Sequence, residues 1–243
     1  MYILIKHNSN YNDIIKDIDK KLFSPITLFQ ITINEKTKIK QSLEKIKETI
    51  QSNKIEKTAI QVFLEKIDNS TIGIINNLKN DFDIIIGYGG TNKINRFFIE
   101  QTQIDLLQDP HNSKYYNKID YIHHFNSGLN HVLCNLAKNK QIGILISLNF
   151  AKEESKKNIP KEIGRINQNI KFTNKYNLNL YINYLIEDKK QILKFNELKK
   201  ITSLFDISNQ QIQNIPKTLE NIIIKKKQKQ DKNYIQENIQ LIK

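Results

Sequence analysis

The chain has 243 residues, 39% of them hydrophobic, and a formal charge of +13 at pH 7. The length suits one large domain, the charge biases encounters toward polyanions, and a lone cysteine, Cys134, excludes an internal disulfide or a thiolate metal cluster. No run approaches about eighteen apolar residues and no apolar leader with a cleavage signal is visible, so a cytoplasmic protein without a membrane partner is expected.

Runs rich in β-branched residues alternate with segments of helical period. Strands are expected at residues 2–6, 26–33, 58–64, 83–87, 104–107, 142–148 and 178–186. Between them, Ile39, Leu43, Ile46 and Ile50 follow helical spacing, as do Ile94, Phe97 and Phe98. Leu129, Val132, Leu133, Leu136 and Ala137 form a further apolar face, and Pro160 suits the first turn of a helix carrying Ile163, Ile166, Ile170 and Thr173. Ile84, Ile85 and Ile86 are apolar on both faces of their strand, as burial in a helix-covered parallel sheet requires. Seven strands alternating with helices imply an α/β fold, a (β/α)8-type barrel that is irregular or short of a strand. An open doubly wound sheet uses the same βα units and stays open as the alternative.

Residues 1–215 are expected to form this single domain, ending in a helix from Phe195 to Leu204, and 216–243 a C-terminal helix and basic tail. Leu219, Ile222 and Ile223 keep helical spacing after Pro216, and Lys225 to Lys229 then fall where the helix dipole favours cations. That tail is expected to be solvated, or to act as an RNA-contacting arm.

Five of the seven glycines lie between residues 83 and 150. Gly87-Tyr88-Gly89-Gly90 follows a buried strand and precedes a helix capped by Thr91 or Asn92, a junction able to cradle phosphate. Because Gly89 and Gly90 are adjacent and no Gly-Lys-Ser/Thr follows, neither common nucleotide motif is matched. The plainer expectation is a tight turn with positive φ.

Other chemistry is sparse. A metal-dependent phosphoesterase on such a barrel would open with His-x-His at the end of the first strand, where this chain has Lys6-His7-Asn8-Ser9. His123 and His124 fall in a polar loop, and His131 is expected at the edge of an apolar helix face as a structural residue. There is no nucleophile elbow, and Glu153-Glu154 reads as surface charge in a Lys-rich segment. Only two of the 38 basic side chains are arginines, Arg96 and Arg165. Either could present its planar fork to phosphate or serve as a structural ion-pair partner.

Four pieces of the 83–148 window occur in a familiar order: Gly89-Gly90, then Lys93-Ile94-Asn95-Arg96, then Ile104-Asp105-Leu106-Leu107 with Pro110, then Ser127-Gly128-Leu129-Asn130-His131-Val132-Leu133. This window resembles archaeal ribonuclease P protein component 3, the family related to the thirty-kilodalton subunit of the eukaryotic enzyme. It departs from that pattern at Tyr88, at Phe125-Asn126 and in a longer loop over residues 111–126. The resemblance implies an irregular TIM-like barrel, polymerase-and-histidinol-phosphatase-like, in a ribonucleoprotein that removes 5′ leaders from precursor tRNA. The RNA would do the chemistry with its own magnesium, and the chain would bind no cofactor. Partners implied are the ribonuclease P RNA, a component 2 protein in a heterotetramer, and other ribonuclease P proteins, with precursor tRNA met indirectly. Lys93, Asn95 and Arg96 are then expected as an RNA-facing or junction-organising cluster, and Lys161 and Arg165 as weaker phosphate contacts. Gly87, Gly89, Gly90 and Gly128 would shape the turns. No stacking-aromatic signature for single strands is legible.

Overall fold

The computed structural model describes residues 2–18, 24–33, 36–112, 118–120, 125–148, 159–183, 185–188, 195–203, 205, 207, 219–228, 234–236 and 239–240. Seven strands, β1 (Tyr2–Lys6), β2 (Ser24–Ile33), β3 (Thr58–Leu64), β4 (Ile84–Tyr88), β5 (Leu106–Gln108), β6 (Gly143–Ser147) and β7 (Leu180–Asn183), form one sheet in chain order. Every neighbouring pair is parallel. Past β7, the Lys6 N–H donates to the Ile186 carbonyl at 3.0 Å and the Ile186 N–H to that of Leu4 at 3.1 Å, so one parallel bridge returns the sheet to β1. A doubly wound sheet needs a reversal of strand order. None occurs, and the fold is TIM-like with seven strands.

Among the described residues the helices include α1 (Tyr11–Asp17), α2 (Lys36–Ser52), α3 (Asn69–Leu78), α4 (Asn92–Glu100), α5 (His131–Asn139), α6 (Ile159–Tyr176) and α7 (Phe195–Thr202), and residues 219–228 are helical as well. Two of them, α1 and α3, have no counterpart among the helices expected from periodicity. The seven residues of α1 are too few to establish a period. α3 is rich in Asn, Ser and Thr, which favour caps and turns. A capping box starts it: Asp68 Oδ1 accepts from the Thr71 N–H at 3.0 Å, and Thr71 Oγ1 accepts from the Asp68 N–H at 3.3 Å.

Alternation along each strand divides the core into two layers. Phe29, Ile31, Ile60, Val62, Ile85, Leu107, Ile144 and Ile146 pack outward with the helices. Leu4, Leu28, Ala59, Ile84, Ile86, Leu106 and Leu145 form the inner cluster, joined by Leu219 and Ile223 from the helical residues 219–228. Lys226 Nζ donates to the Phe82 carbonyl at 2.9 Å and lies 3.8 Å from Asp105 Oδ2, beside the starts of β4 and β5. The C-terminal segment therefore covers the lower mouth of the sheet. In the basic run expected to be solvated, Lys225 and Lys227 are exposed, and Lys226 is the exception, its side chain only 12% exposed. Beyond it, β8 (Tyr234–Gln236) and β9 (Ile239–Gln240) pair antiparallel.

Candidate functional site

The glycine-bearing window assembles around one side chain. Thr91 caps α4 by accepting from the Ile94 N–H at 3.2 Å, and Ile94, Phe97 and Phe98 face the core. That orientation places Asn95 inward as well, fully buried. Its Oδ1 accepts from the Gly90 N–H at 2.8 Å, and its Nδ2 donates to the carbonyls of Pro110 and Gly128, each at 3.0 Å. Three segments far apart in sequence are thus tied together: the turn after β4, the loop after β5 and the approach to α5. Of the two roles expected for the cluster at 93–96, Asn95 takes the junction-organising one. It presents nothing to a ligand outside.

The glycines serve this junction by close approach more than by unusual backbone angles. A Cβ on Gly87 would sit 2.5 Å from the Phe98 ring, and one on Gly89 2.6 Å from the Pro110 Cα. The Gly89 N–H donates to the Gln108 carbonyl at 2.6 Å. Positive φ was expected in the turn at residues 87–90, but among the described glycines it occurs at Gly128, with φ of 81°. A Cβ there would lie 1.9 Å from the Pro110 carbonyl oxygen. Helix α5 follows directly, capped by Asn130 Oδ1 accepting from the Leu133 N–H at 2.9 Å.

The cations expected as phosphate contacts separate into two kinds. Lys93 and Lys161 are exposed. Arg96 is exposed too, its side chain 62% accessible, and pairs with Glu100 one turn along at 2.7 Å. Such a pair is worth only about 0.3–0.5 kcal/mol, so it can be exchanged for a stronger anion. Arg165 is different. Its side chain is 7% exposed and grips Asp120 Oδ1 through Nη2 at 2.8 Å and Nε at 3.1 Å. This is the structural ion-pair arrangement, one of the two roles expected for it. Burial works against ionisation of Asp120, yet the Asn126 N–H and the Arg165 guanidinium hold its carboxyl below the usual range.

Sequence reasoning missed Lys118, whose ammonium is buried beside this pair and donates to the Pro110 carbonyl. Burial, aided by the charge of Arg165, pulls it down to about 7. His111 is fully buried and held neutral, its pKa pushed to about 3 by burial and by the cations Lys118 and Arg165. The 3.9 Å approach of its Nε2 to Glu162 is therefore not an ion pair at neutral pH. His7 stacks on Phe29 and lies near Tyr11, with ring centroids 5.0 and 4.9 Å away. His131 is exposed at the start of α5, and Val132 of the expected apolar face is exposed as well. His123, His124, Glu153 and Glu154 lie outside the described residues.

At the C-terminal ends of the strands, where barrels of this kind carry their sites, a polar row crosses the sheet. Gln30 Nε2 donates to Gln61 Oε1, Gln61 Nε2 to Gln108 Oε1 at 2.6 Å, and Gln108 Nε2 to Ser147 Oγ at 2.7 Å. Asp109 ends the row, accepting from the Ser147 N–H at 2.7 Å and the Ser147 hydroxyl at 2.5 Å. Among the described residues no group of three or more His, Cys, Asp or Glu side chains is placed to hold a metal ion.

No family model and no curated protein matches the sequence. In structure the chain is similar to one in the cryo-EM structure of archaeal ribonuclease P with mature tRNA, at 20% identity and a TM-score of 0.73 over 100% of both chains. It is also similar to an arabidopsis N6-mAMP deaminase, at 10% identity and a TM-score of 0.51, covering 84% of this chain and 59% of that one. Both likenesses place the chain on a shared fold, and the first extends from end to end.

Proposed function

We propose that the chain is a protein subunit of ribonuclease P, supporting RNA-catalysed removal of the 5′ leader from precursor tRNA. The observation that carries this reading is the convergence on Asn95. The separate sequence pieces that resemble component 3, at Gly90, Asn95, Pro110 and Gly128, meet through three hydrogen bonds of one buried side chain. The end-to-end likeness to a chain of archaeal ribonuclease P supports it. On this reading Lys93, Arg96 and Lys161 meet RNA phosphates, a component 2 protein completes a heterotetramer, and magnesium belongs to the RNA. The protein works in the cytoplasm.

On this reading the chain itself is non-catalytic: the amides and serine hydroxyl of the polar row do not ionise near neutral pH, and its one carboxylate, Asp109, accepts hydrogen bonds from Ser147 and Gln108. Nothing in their arrangement favours the phosphoesterase alternative. Reconstitution of precursor-tRNA cleavage with and without this chain and its component 2 partner tests the proposal. Omission should lower the rate at a given magnesium concentration or raise the magnesium requirement. An unchanged rate and requirement would overturn the assignment.

A further inference from the structure

Three aromatic side chains from distant parts of the sequence line one cavity of about 470 Å3 between the start of α4, the loop at residues 125–130 and α6. Phe125 is 38% exposed and belongs to the loop. Phe172 and Tyr176, four residues apart on α6, have ring centroids 6.3 Å apart. Phe125 is held in place by Gly164, where a Cβ would come within 2.5 Å of its ring. A glycine inside a helix costs about 1 kcal/mol relative to alanine. Close seating of the ring explains its presence and sets Phe125 against the first half of α6, with Phe172 and Tyr176 further along the same helix. This grouping was not legible in the sequence, because Phe125 and Phe172 are separated by nearly the whole of α5, β6 and α6.

The rest of the lining has one chemical character. Lys175 Nζ lies 5.7 Å from the centre of the Tyr176 ring. Asn92 and Gln168 make no side-chain hydrogen bond to the described protein, so their amides are open to a ligand. Ser127 is buried and its hydroxyl has no protein partner. Among the described residues no carboxylate lines the space. Asn92 and His131, both lining residues, are the first residues of α4 and α5, whose positive dipole ends favour an anion.

We propose that this cavity takes one unstacked nucleotide from a single-stranded or looped stretch of RNA. The base lies on the aromatic faces, Asn92 and Gln168 meet its polar edge, and the phosphate sits between Lys175 and the two helix starts. Aromatic stacking with hydrogen bonds to exposed base edges is how proteins recognise unpaired RNA. Open amides, a cation and the absence of carboxylates suit a nucleotide better than an apolar peptide side chain. The inference rests on the RNA-binding reading above and names the form of RNA that this site recognises.

The test is equilibrium binding of the full chain to a labelled single-stranded oligoribonucleotide of mixed sequence and to a blunt RNA duplex. Phe125→Ala and Lys175→Gln should each weaken single-strand binding, the former by about tenfold, and leave duplex binding unchanged. Phe125→Tyr should restore it, since stacking survives. Thermal melts check folding, and if Phe125→Ala proves unstable the exposed Lys175→Gln and the Phe172→Leu variants carry the test. Unchanged single-strand affinity in these variants, an equal loss for both RNAs, or loss only of association with a protein subunit would each overturn the proposal. The two readings fail separately. A chain dispensable for precursor-tRNA cleavage whose variants still lose single-strand binding sinks the ribonuclease P assignment alone. A required chain whose variants bind single strands normally sinks the pocket alone.

Discussion

Asn95 uses one acceptor and both amide donors on three backbone groups in a fully buried site, and the Pro110 carbonyl also accepts from Lys118. A buried backbone group left without a partner costs about 1–3 kcal/mol. Asn95→Ala leaves two of these groups, the Gly90 N–H and the Gly128 carbonyl, without that partner and should therefore lower stability by about 2 kcal/mol or more, a large part of the roughly 5–15 kcal/mol that holds a domain together. Asn95→Asp should not rescue it, because a second oxygen would face the carbonyls of Pro110 and Gly128. Urea denaturation checks this, with Lys93→Gln as the surface control; a loss under about 1 kcal/mol for Asn95→Ala would remove Asn95 from its organising role. His111 makes a different demand, visible in pH. Its folded pKa of about 3 lies below the unfolded 6.5, so it stays neutral in the fold while the unfolded chain takes up a proton. Its share of stability is complete above pH 6.5 and is lost as pH falls from 6.5 toward 3, with a limiting slope of about 1.4 kcal/mol per pH unit. Lys118, Arg165 and Glu162 face the same imidazole, so the readout is the difference between wild type and His111→Leu measured across that range. A difference that does not change with pH would mean the imidazole is not held neutral.

At the scale of elements, the sheet was legible because its strands are apolar on both faces, and a buried parallel strand announces itself by composition. β1 and β3 occupy the expected residues, 2–6 and 58–64, and the others shift by only a few positions. α3 was illegible from periodicity because its start depends on a reciprocal hydrogen-bond pair, Asp68 with Thr71, more than on a regular apolar stripe. The candidate site was legible in half. Gly89, Gly90, Asn95 and Gly128 stood out by residue type in a sequence dominated by Ile, Asn and Lys. The sequence could not say that Asn95 points inward, because the apolar residues at 94, 97 and 98 also allow it to sit at the edge of their stripe. Nor could it pair Arg165 with Asp120, 45 residues away, or place Phe125 against Gly164. Contacts between loops that leave different strands carry no local signature. Here they decide which basic residues remain free to meet an anion.

For the whole molecule, a charge of +13 leaves two uses for the C-terminal lysines, an arm that follows RNA or a segment that completes the fold. Leu219 and Ile223 are buried in the inner cluster, and Lys226 donates to the Phe82 carbonyl near Asp105. Burying two such side chains contributes about 3–6 kcal/mol, an upper range because the unfolded chain already hides some apolar surface. A chain ending at residue 215 should consequently melt about 10 °C lower, by the usual 2–4 °C per kcal/mol at this size. It should also expose the inner cluster to a hydrophobic dye. Truncation alone would not separate lost packing from lost charge, so Leu219→Ala and Ile223→Ala in the full chain supply the deciding comparison. If the segment is a plug, the point variants reproduce most of the destabilisation and leave the slope of log K against log salt for RNA binding unchanged. If it is an arm, truncation lowers that slope by about one for each lost phosphate contact while the melting temperature stays within about 2 °C of the full chain. Buried leucine and isoleucine at the lower mouth favour the plug, and with it a division of labour between the two ends of the sheet. The C-terminal segment closes the lower end, and under the proposed function the loops around Asn95 at the upper end are the ones to meet RNA.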